Sequence, residues 1–360
     1  MKKLLSIVLL IICSVNLWAN VAAPSQGGNI LTEPNGIKTI DITNENLTID
    51  FTQLGDENLP LNERYIEVEA IYEVNNPADI PKLELIFVIL SEAKGFQFFL
   101  DDKEISAVPF DNKNFADRNT WKTPTDTPFE DRKIMYNPSN GNLKSAKFTL
   151  NLAKGKHFLK AKYRAVSTIY RNIGLMKGWQ FAYSLAPARD WKSFGGLNLN
   201  IKVPTDWKFF ANIKLERNGD NLTGKFTEIP ADFLAVTTQA PIPANYTSTA
   251  DLYFLILLVC LFGFPFLLII IAVWKGYKWK YAWAYGFLFG ILWAGLVALS
   301  GYFNQFGAVE LIPKSQYTSY GYGEGFAVLF LIILVPIVLV IGILLWIGTV
   351  LVAGKIFKKA

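Results

Sequence analysis

The sequence predicts an exported all-β domain of the immunoglobulin-like sandwich type, followed by an α-helical membrane domain of three transmembrane helices. Three observations carry the prediction. Short apolar/polar alternations separated by turn residues fill residues 20–250. Three long uncharged apolar stretches occupy 252–274, 281–303 and 325–352. A short apolar run behind two lysines opens the chain.

Residues 1–19 read as a signal peptide. Lys2 and Lys3 supply positive charge and Leu4 to Val15 the apolar core. The cleavage point stays open: cutting after Ala19 leaves Leu17 at the −3 position, and cutting after Ala23 puts Pro24 next. A lipoprotein signal does not fit, because Ile12 stands where a small residue before Cys13 is wanted.

The exported domain, 20–250, holds 26 Lys plus Arg against 27 Asp plus Glu, so the chain's +5 charge lies elsewhere. That balance excludes a nucleic-acid partner, which needs clustered basic charge on the folded domain. Cys13 and Cys260 both fall in apolar segments, so the domain carries no disulfide and no thiolate metal site. An exported domain of this size without disulfides suits a bacterial envelope, as does the excess of 28 lysines over 7 arginines.

The strands follow in order. Arg64 to Val74 places Ile66, Val68, Ala70, Tyr72 and Val74 on one face and Glu67, Glu69 and Glu73 on the other. Lys82 to Leu90 is a near-continuous apolar run. Asp101-Asp102-Lys103 predicts a hairpin between Phe96–Leu100 and Glu104–Val108, and Lys154-Gly155-Lys156 a second one between Ala146–Leu152 and His157–Val166. Further strands are expected at Leu197–Val203, Lys208–Leu215, Leu222–Thr227 and Phe233–Thr238, with a turn at Asn218-Gly219-Asp220. Two β subdomains, 30–170 and 171–245, are an option. Within the first lies a long loop, 109–142, where Pro109, Pro124, Pro128 and Pro138 interrupt the pattern. Trp121, Phe129 and Tyr136 give it means of docking, and it is read either as a functional loop or as a plain crossover.

Charge is lopsided along the domain. Asp41 to Glu104 carries 15 acids against 4 bases, and Ile105 to Ala250 carries 11 against 21. Lys160, Lys162 and Arg164 form a face complementary to Glu67, Glu69 and Glu73. The two strands are either sheet neighbours or independent solvated faces.

Pro241 to Thr249 reads as a linker. The second apolar stretch, 281–303, repeats small residues every four positions: Ala282, Gly286, Gly290, Ala294 and Ala298. Helices in lipid gain by close backbone approach, so this stripe is a candidate packing seam. Lys275, Lys278 and Lys280 fill one loop and Lys355, Lys358 and Lys359 end the chain, which makes 354–360 a cytoplasmic basic tail. The expected location is a bacterial inner membrane, multi-pass, with the large domain outside.

Chemistry is sparse. His157 is the sole histidine, so zinc sites and Ser–His or Cys–His pairs lack their residues. Asp111, Asn112, Asn114 and Asp117 match no calcium-loop spacing. The three apolar stretches hold no Asp, Glu, Lys, Arg or His, which argues against ion-coupled transport. No catalytic residue, metal or cofactor is expected. One binding candidate stands out: Trp179, Tyr183, Arg189, Asp190 and Trp191, with Phe194, Gly195 and Gly196 beside them. Such a set suits a hot spot, and equally the edge of a sandwich core. The expected function is binding, sensing or scaffolding of a protein or glycan partner, with the lipid bilayer and a membrane or envelope protein, or a second copy, as contacts. The alternatives are an accessory subunit of a transport or export complex and a carboxylate-dependent hydrolase.

Overall fold

The computed structural model describes residues 29–32, 37–89, 94–111, 124–136, 144–171, 174–264, 282–318 and 336–348, with a few single positions between 267 and 355. The chain divides into two compact units: 1–56, 63–172 and 178–239 in one, and 57–62, 173–177 and 240–360 in the other.

The first unit is all β. Its main sheet has nine strands: β2 (Asp41–Asp50), β3 (Ile66–Asn76), β5 (Lys94–Leu100), β6 (Lys103–Ile105), β11 (Gly155–Ala165), β14 (Ser193–Phe194), β15 (Leu197–Lys202), β17 (Glu216–Asn218) and β18 (Asn221–Phe226). Their order is β17-β18-β15-β2-β3-β11-β5-β6, with β14 also against β2. β14 and β15 run parallel to β2 and the other pairs are antiparallel. Two four-stranded sheets accompany it. One is β1 (Asn29–Thr32), β4 (Ile80–Ile89), β10 (Lys144–Leu152) and β7 (Val108–Asp111). The other is β12 (Thr168–Tyr170), β13 (Gly178–Ser184), β19 (Phe233–Gln239) and β16 (Lys208–Ala211).

Both small sheets cover the same face of the large one. The alternation read in β3 fixes that face: Ile66, Val68, Ala70, Tyr72 and Val74 are buried. Opposite them in register, Leu159, Ala161 and Tyr163 of β11 are buried as well. Phe87 of β4 meets Phe98 and Tyr163 edge-on, and Phe148 of β10 stacks on Phe98 at 4.8 Å. At the other end Phe51 meets Phe181 and Phe209. The result is a sheet-on-sheet core, as the sequence predicts. It is not the expected immunoglobulin-like pair of comparable sheets, because nine strands of one sheet share their apolar face between two smaller ones. β15 also continues the sheet that β2 opens, so main-sheet pairing runs across residue 170.

The turn at Asp101-Asp102 forms as read. Both residues have positive φ, 49° and 62°, and Leu100 faces Lys103 across a two-residue turn of the mirror-image kind that suits twisted strands. The second expected hairpin does not form. β10 lies in a small sheet and β11 in the large one, so the chain changes layer after Leu152. β3 and β4 change layer at the same corner, where buried Asn76 donates from Nδ2 to the carbonyls of Leu152 (3.1 Å) and Ala153 (2.9 Å). The charged strands are neighbours, with Glu69 opposite Lys162 and Glu67 opposite Arg164.

The expected loop 109–142 is partly ordered β structure. β8 (Asp126–Phe129) and β9 (Arg132–Met135) form a hairpin, and Phe129, Ile134 and Tyr136 are buried. Buried Thr127 is bonded by Gln180 and Thr237. Residues 112–123, Trp121 among them, and 137–143 lie outside those described.

The second unit is largely helical. α1 (Ala244–Gly263) runs as α-helix to Leu258 and in a wider π turn to Gly263. α2 covers Ala282–Tyr302 and α3 covers Pro336–Gly348. Where the sequence predicts three spans, one helix among the described residues, α1, is long and apolar enough to cross a membrane. The shorter apolar pieces are Leu288–Tyr302 and Pro336–Gly348, and much of 264–287 and 319–352 lies outside the described residues.

Candidate functional site

Sequence reading placed the binding candidate on Trp179, Tyr183, Arg189, Asp190 and Trp191. Trp179 and Tyr183 stand on β13 with their side chains buried, and Trp191 is buried after a short 3-10 turn, Ala186–Asp190. Arg189 is exposed and pairs with Asp232, while Asp190 is half-buried. The rings therefore build core and leave the arginine pair at the surface. Gly195 and Gly196 serve a close backbone approach. A Cβ on Gly195 would lie 2.2 Å from the Thr43 carbonyl oxygen, and the Gly195 N–H donates to the Ile42 carbonyl at 2.8 Å.

That approach coincides with a bulge in β2 between Ile42 and Asn44. Simple alternation from Ile42 would turn Asn44 and Asn46 inward. The bulge shifts the parity by one, so Glu45, Leu47 and Ile49 point into the core. Glu45 is thereby the one buried acid among the described residues, at 2 % exposure. It faces Tyr72 across the β2–β3 ladder and accepts from the Tyr183 hydroxyl at 3.2 Å, while the two tyrosine hydroxyls lie 2.6 Å apart. Burial raises the Glu45 carboxyl to about 7 against the lowering effect of the two hydroxyls. Burial and the carboxylate beside them push both tyrosines up. The cluster is a closed polar knot in the core with Glu45 as its carboxyl.

The outward face of the same strands is open. Asn46 and Thr48 of β2, Asn198 and Asn200 of β15, and Thr223 and Lys225 of β18 form two cross-strand rows, Asn46–Asn198–Lys225 and Thr48–Asn200–Thr223. With Lys214, Glu216 and Phe226 they line a groove of about 650 Å³. Asn198 donates from Nδ2 to Oδ1 of Asn44 and of Asn46, both at 3.0 Å, which fixes the amides on the rigid sheet. At Gly224, under the groove, a Cβ would sit 2.7 Å from the Phe226 ring and 2.8 Å from Leu215. Sequence reasoning missed this site. The signal was present in the alternations Asn44-Glu45-Asn46 and Leu197-Asn198-Leu199-Asn200, where a polar face carries amides in place of charges.

Elsewhere, His157 pairs through Nδ1 with Asp101 Oδ2 at 2.7 Å and through Nε2 with the Ala153 carbonyl. No group of three or more His, Cys, Asp and Glu comes together among the described residues. Asp111 ends β7, and Asn112, Asn114 and Asp117 lie outside the described residues. Of the small-residue stripe, Gly290 and Ala294 are buried and Ala298 half-buried, while the side chains of Ala282 and Gly286 lie outside the described residues. A Cβ on Gly290 would be 3.0 Å from Ile343 and 3.3 Å from the Leu339 carbonyl, and one on Gly342 would be 3.3 Å from the Gly290 Cα. α2 and α3 thus cross at glycine against glycine. Trp293 Nε1 donates at 2.8 Å to the Cys260 carbonyl in the π turn of α1.

No protein-family model matches the chain, and no curated protein does. Solved structures share parts of its course. A Legionella pneumophila protein provisionally described as nutrient-binding is 11 % identical, with a TM-score of 0.45 over 66 % of this chain and 77 % of its own. The M1 zinc metallopeptidase of Deinococcus radiodurans is 10 % identical with a TM-score of 0.30, covering 59 % of this chain and 45 % of its own. Leukotriene A4 hydrolase of Saccharomyces cerevisiae is 8 % identical with a TM-score of 0.31, covering 58 % and 31 %. Likenesses this loose fix neither a family nor an activity.

Proposed function

We propose that this chain is a membrane-anchored envelope protein whose β domain lies outside the cell membrane and binds, senses or scaffolds a protein or glycan partner without chemistry. The groove on the outward face of β2, β15 and β18 carries this reading. It is large enough for a ligand, within the usual range of about 300–1,000 Å³, and lined by polar groups already held in place. The anchor is a three-helix membrane domain, with α1 beginning five residues after β19 ends and its apolar part at Leu252. The exposed Leu252, Phe254, Leu255, Val259 and Phe262 of α1 suit lipid. They equally suit a neighbouring membrane protein, which supports the second reading, an accessory subunit of a transport or export complex.

Two measurements test the proposal on the intact protein in its membranes. Cysteines introduced at Asn218 and at Lys278 should behave oppositely: Asn218→Cys labels in intact spheroplasts and Lys278→Cys only after permeabilisation. A photo-crosslinker placed at Thr223 should form a defined adduct with a component of the envelope. Labelling at position 278 in intact cells sinks the topology, and adducts no more specific than those from an exposed position outside the groove sink the binding role.

A further inference from the structure

We infer that the groove on β2, β15 and β18 takes a neutral glycan chain rather than a peptide or an anionic polymer. This rests on the binding role proposed above and names its ligand class. An extended peptide is captured by free N–H and C=O groups at a sheet edge. The groove floor is the face of the sheet, not an edge: β2 is paired by β3 and β15, β15 by β2 and β18, and β18 by β15 along its length and by β17 at Asn221–Thr223. Recognition must therefore come from side chains.

Those side chains are amides and hydroxyls. Asn46, Asn198, Asn200, Thr48 and Thr223 stand in two rows across the strands. Strands lie about 4.8 Å apart and successive outward residues about 6.6 Å apart, so the polar groups form a regular grid on the sheet face. An asparagine amide carries both donors and an acceptor, and Asn46 and Asn200 bring these to hydroxyls that use both. Asn198 spends its donor on Asn44 and Asn46, which orients all three before any ligand arrives. The groove's charges are Lys214, Lys225 and Glu216. This mixed set gives no strong preference for phosphate or carboxylate polymers, which call for clustered cations.

The test uses the intact protein in mild detergent and titrates it with chitotetraose, cellotetraose and maltotetraose, each uncharged, and with a neutral tetrapeptide. At least one sugar should bind saturably and the peptide should not compete. Asn200→Leu should weaken that sugar by about tenfold or more, as loss of a paired polar contact does. Thr223→Trp fills the groove from an exposed position and should abolish binding, while its melting curve matches the parent and shows that the sheet is intact. Absence of saturable binding by all three sugars overturns the inference. So does sugar binding that survives both variants. If no sugar binds but the crosslinker at Thr223 still yields a defined protein adduct, the glycan assignment falls and the broader binding role stands.

Discussion

At the residue scale, Glu45 is the position where the core departs furthest from what its residue type favours. A carboxyl 2 % exposed between Leu47 and two tyrosines gives up its hydration for two hydroxyl contacts. Its carboxyl sits at about 7 in the folded protein against 4.5 ordinarily. The groups that face it are Tyr72 and Tyr183, both pushed up by burial and neutral through this range. The sign follows from proton counting. Between about 4.5 and 7 the folded state holds a proton that the unfolded chain has released, so stability from this group is full below that window and is lost as pH rises through it. A shift of this size corresponds to about 3 kcal/mol as an order of magnitude. Glu45→Gln keeps the hydrogen-bonding shape without the ionisation. Urea midpoints for parent and Glu45→Gln should therefore diverge from pH 5 to pH 7.5, with the variant relatively more stable at the higher value. Parallel pH profiles would show that Glu45 does not titrate in this range. The sequence could not point to Glu45, because plain alternation along Asp41–Asp50 places Asn46 on the face that a one-residue bulge at Thr43 gives to Glu45.

At the element scale, several strands and their faces were legible, β2 and β13 were not read as strands, and partners were only partly legible. Ile66 to Val74 declared both its faces by period two alone. The Asp101-Asp102 turn was legible because few residue pairs adopt positive φ twice. The second predicted hairpin failed at Ala153 for a physical reason: periodicity says which face of a strand is buried but not which sheet the strand joins. Charge supplied what periodicity lacked, since Glu69 does lie opposite Lys162. Arg164 Nε sits 3.3 Å from Glu67 and Lys156 Nζ 3.3 Å from Glu73, all on the exposed face where screening is strong. The expected coupling is accordingly small, about 0.2–1 kcal/mol for a directly opposed pair. Glu69→Lys should lower the unfolding midpoint, and adding Lys162→Glu should restore part of the loss. Additive effects in the double-mutant cycle would show that register has not produced coupling. The missed groove belongs to this scale too. Its amides carried no reading of their own in the sequence, and only the parallel pairing of β15 with β2 sets Asn198 beside Asn46.

At the scale of the whole molecule, the helical unit holds together through small residues. In the proposed membrane setting, lipid tails would compete equally for leucine, and helices would gain chiefly where backbones come close. Gly290 of α2 and Gly342 of α3 supply that closeness, and buried Trp293, Ala294, Val297 and Val338 pack beside them. Trp293 is fixed twice. Its ring lies over Gly342, where a Cβ would come within 2.7 Å, and its N–H satisfies the Cys260 carbonyl of α1. A four-carbon side chain at position 290 would run into Ile343 and the Leu339 backbone, and the backbone cannot yield without opening the crossing. Gly290→Leu should therefore separate α3 from α2, leaving Trp293 without its seat and the π turn of α1 without its donor. Leu292 points outward at 52 % exposure, so Leu292→Ala removes only surface contact. In mild detergent, Gly290→Leu should show faster proteolysis between residues 303 and 336 and a broadened particle size, while Leu292→Ala behaves as the parent. The β domain, whose apolar face is closed by its own small sheets, should keep its melting transition in both. If Gly290→Leu resists protease like the parent while Leu292→Ala does not, the crossing lies on the opposite face of α2, and the helices are held by leucine packing instead of backbone approach.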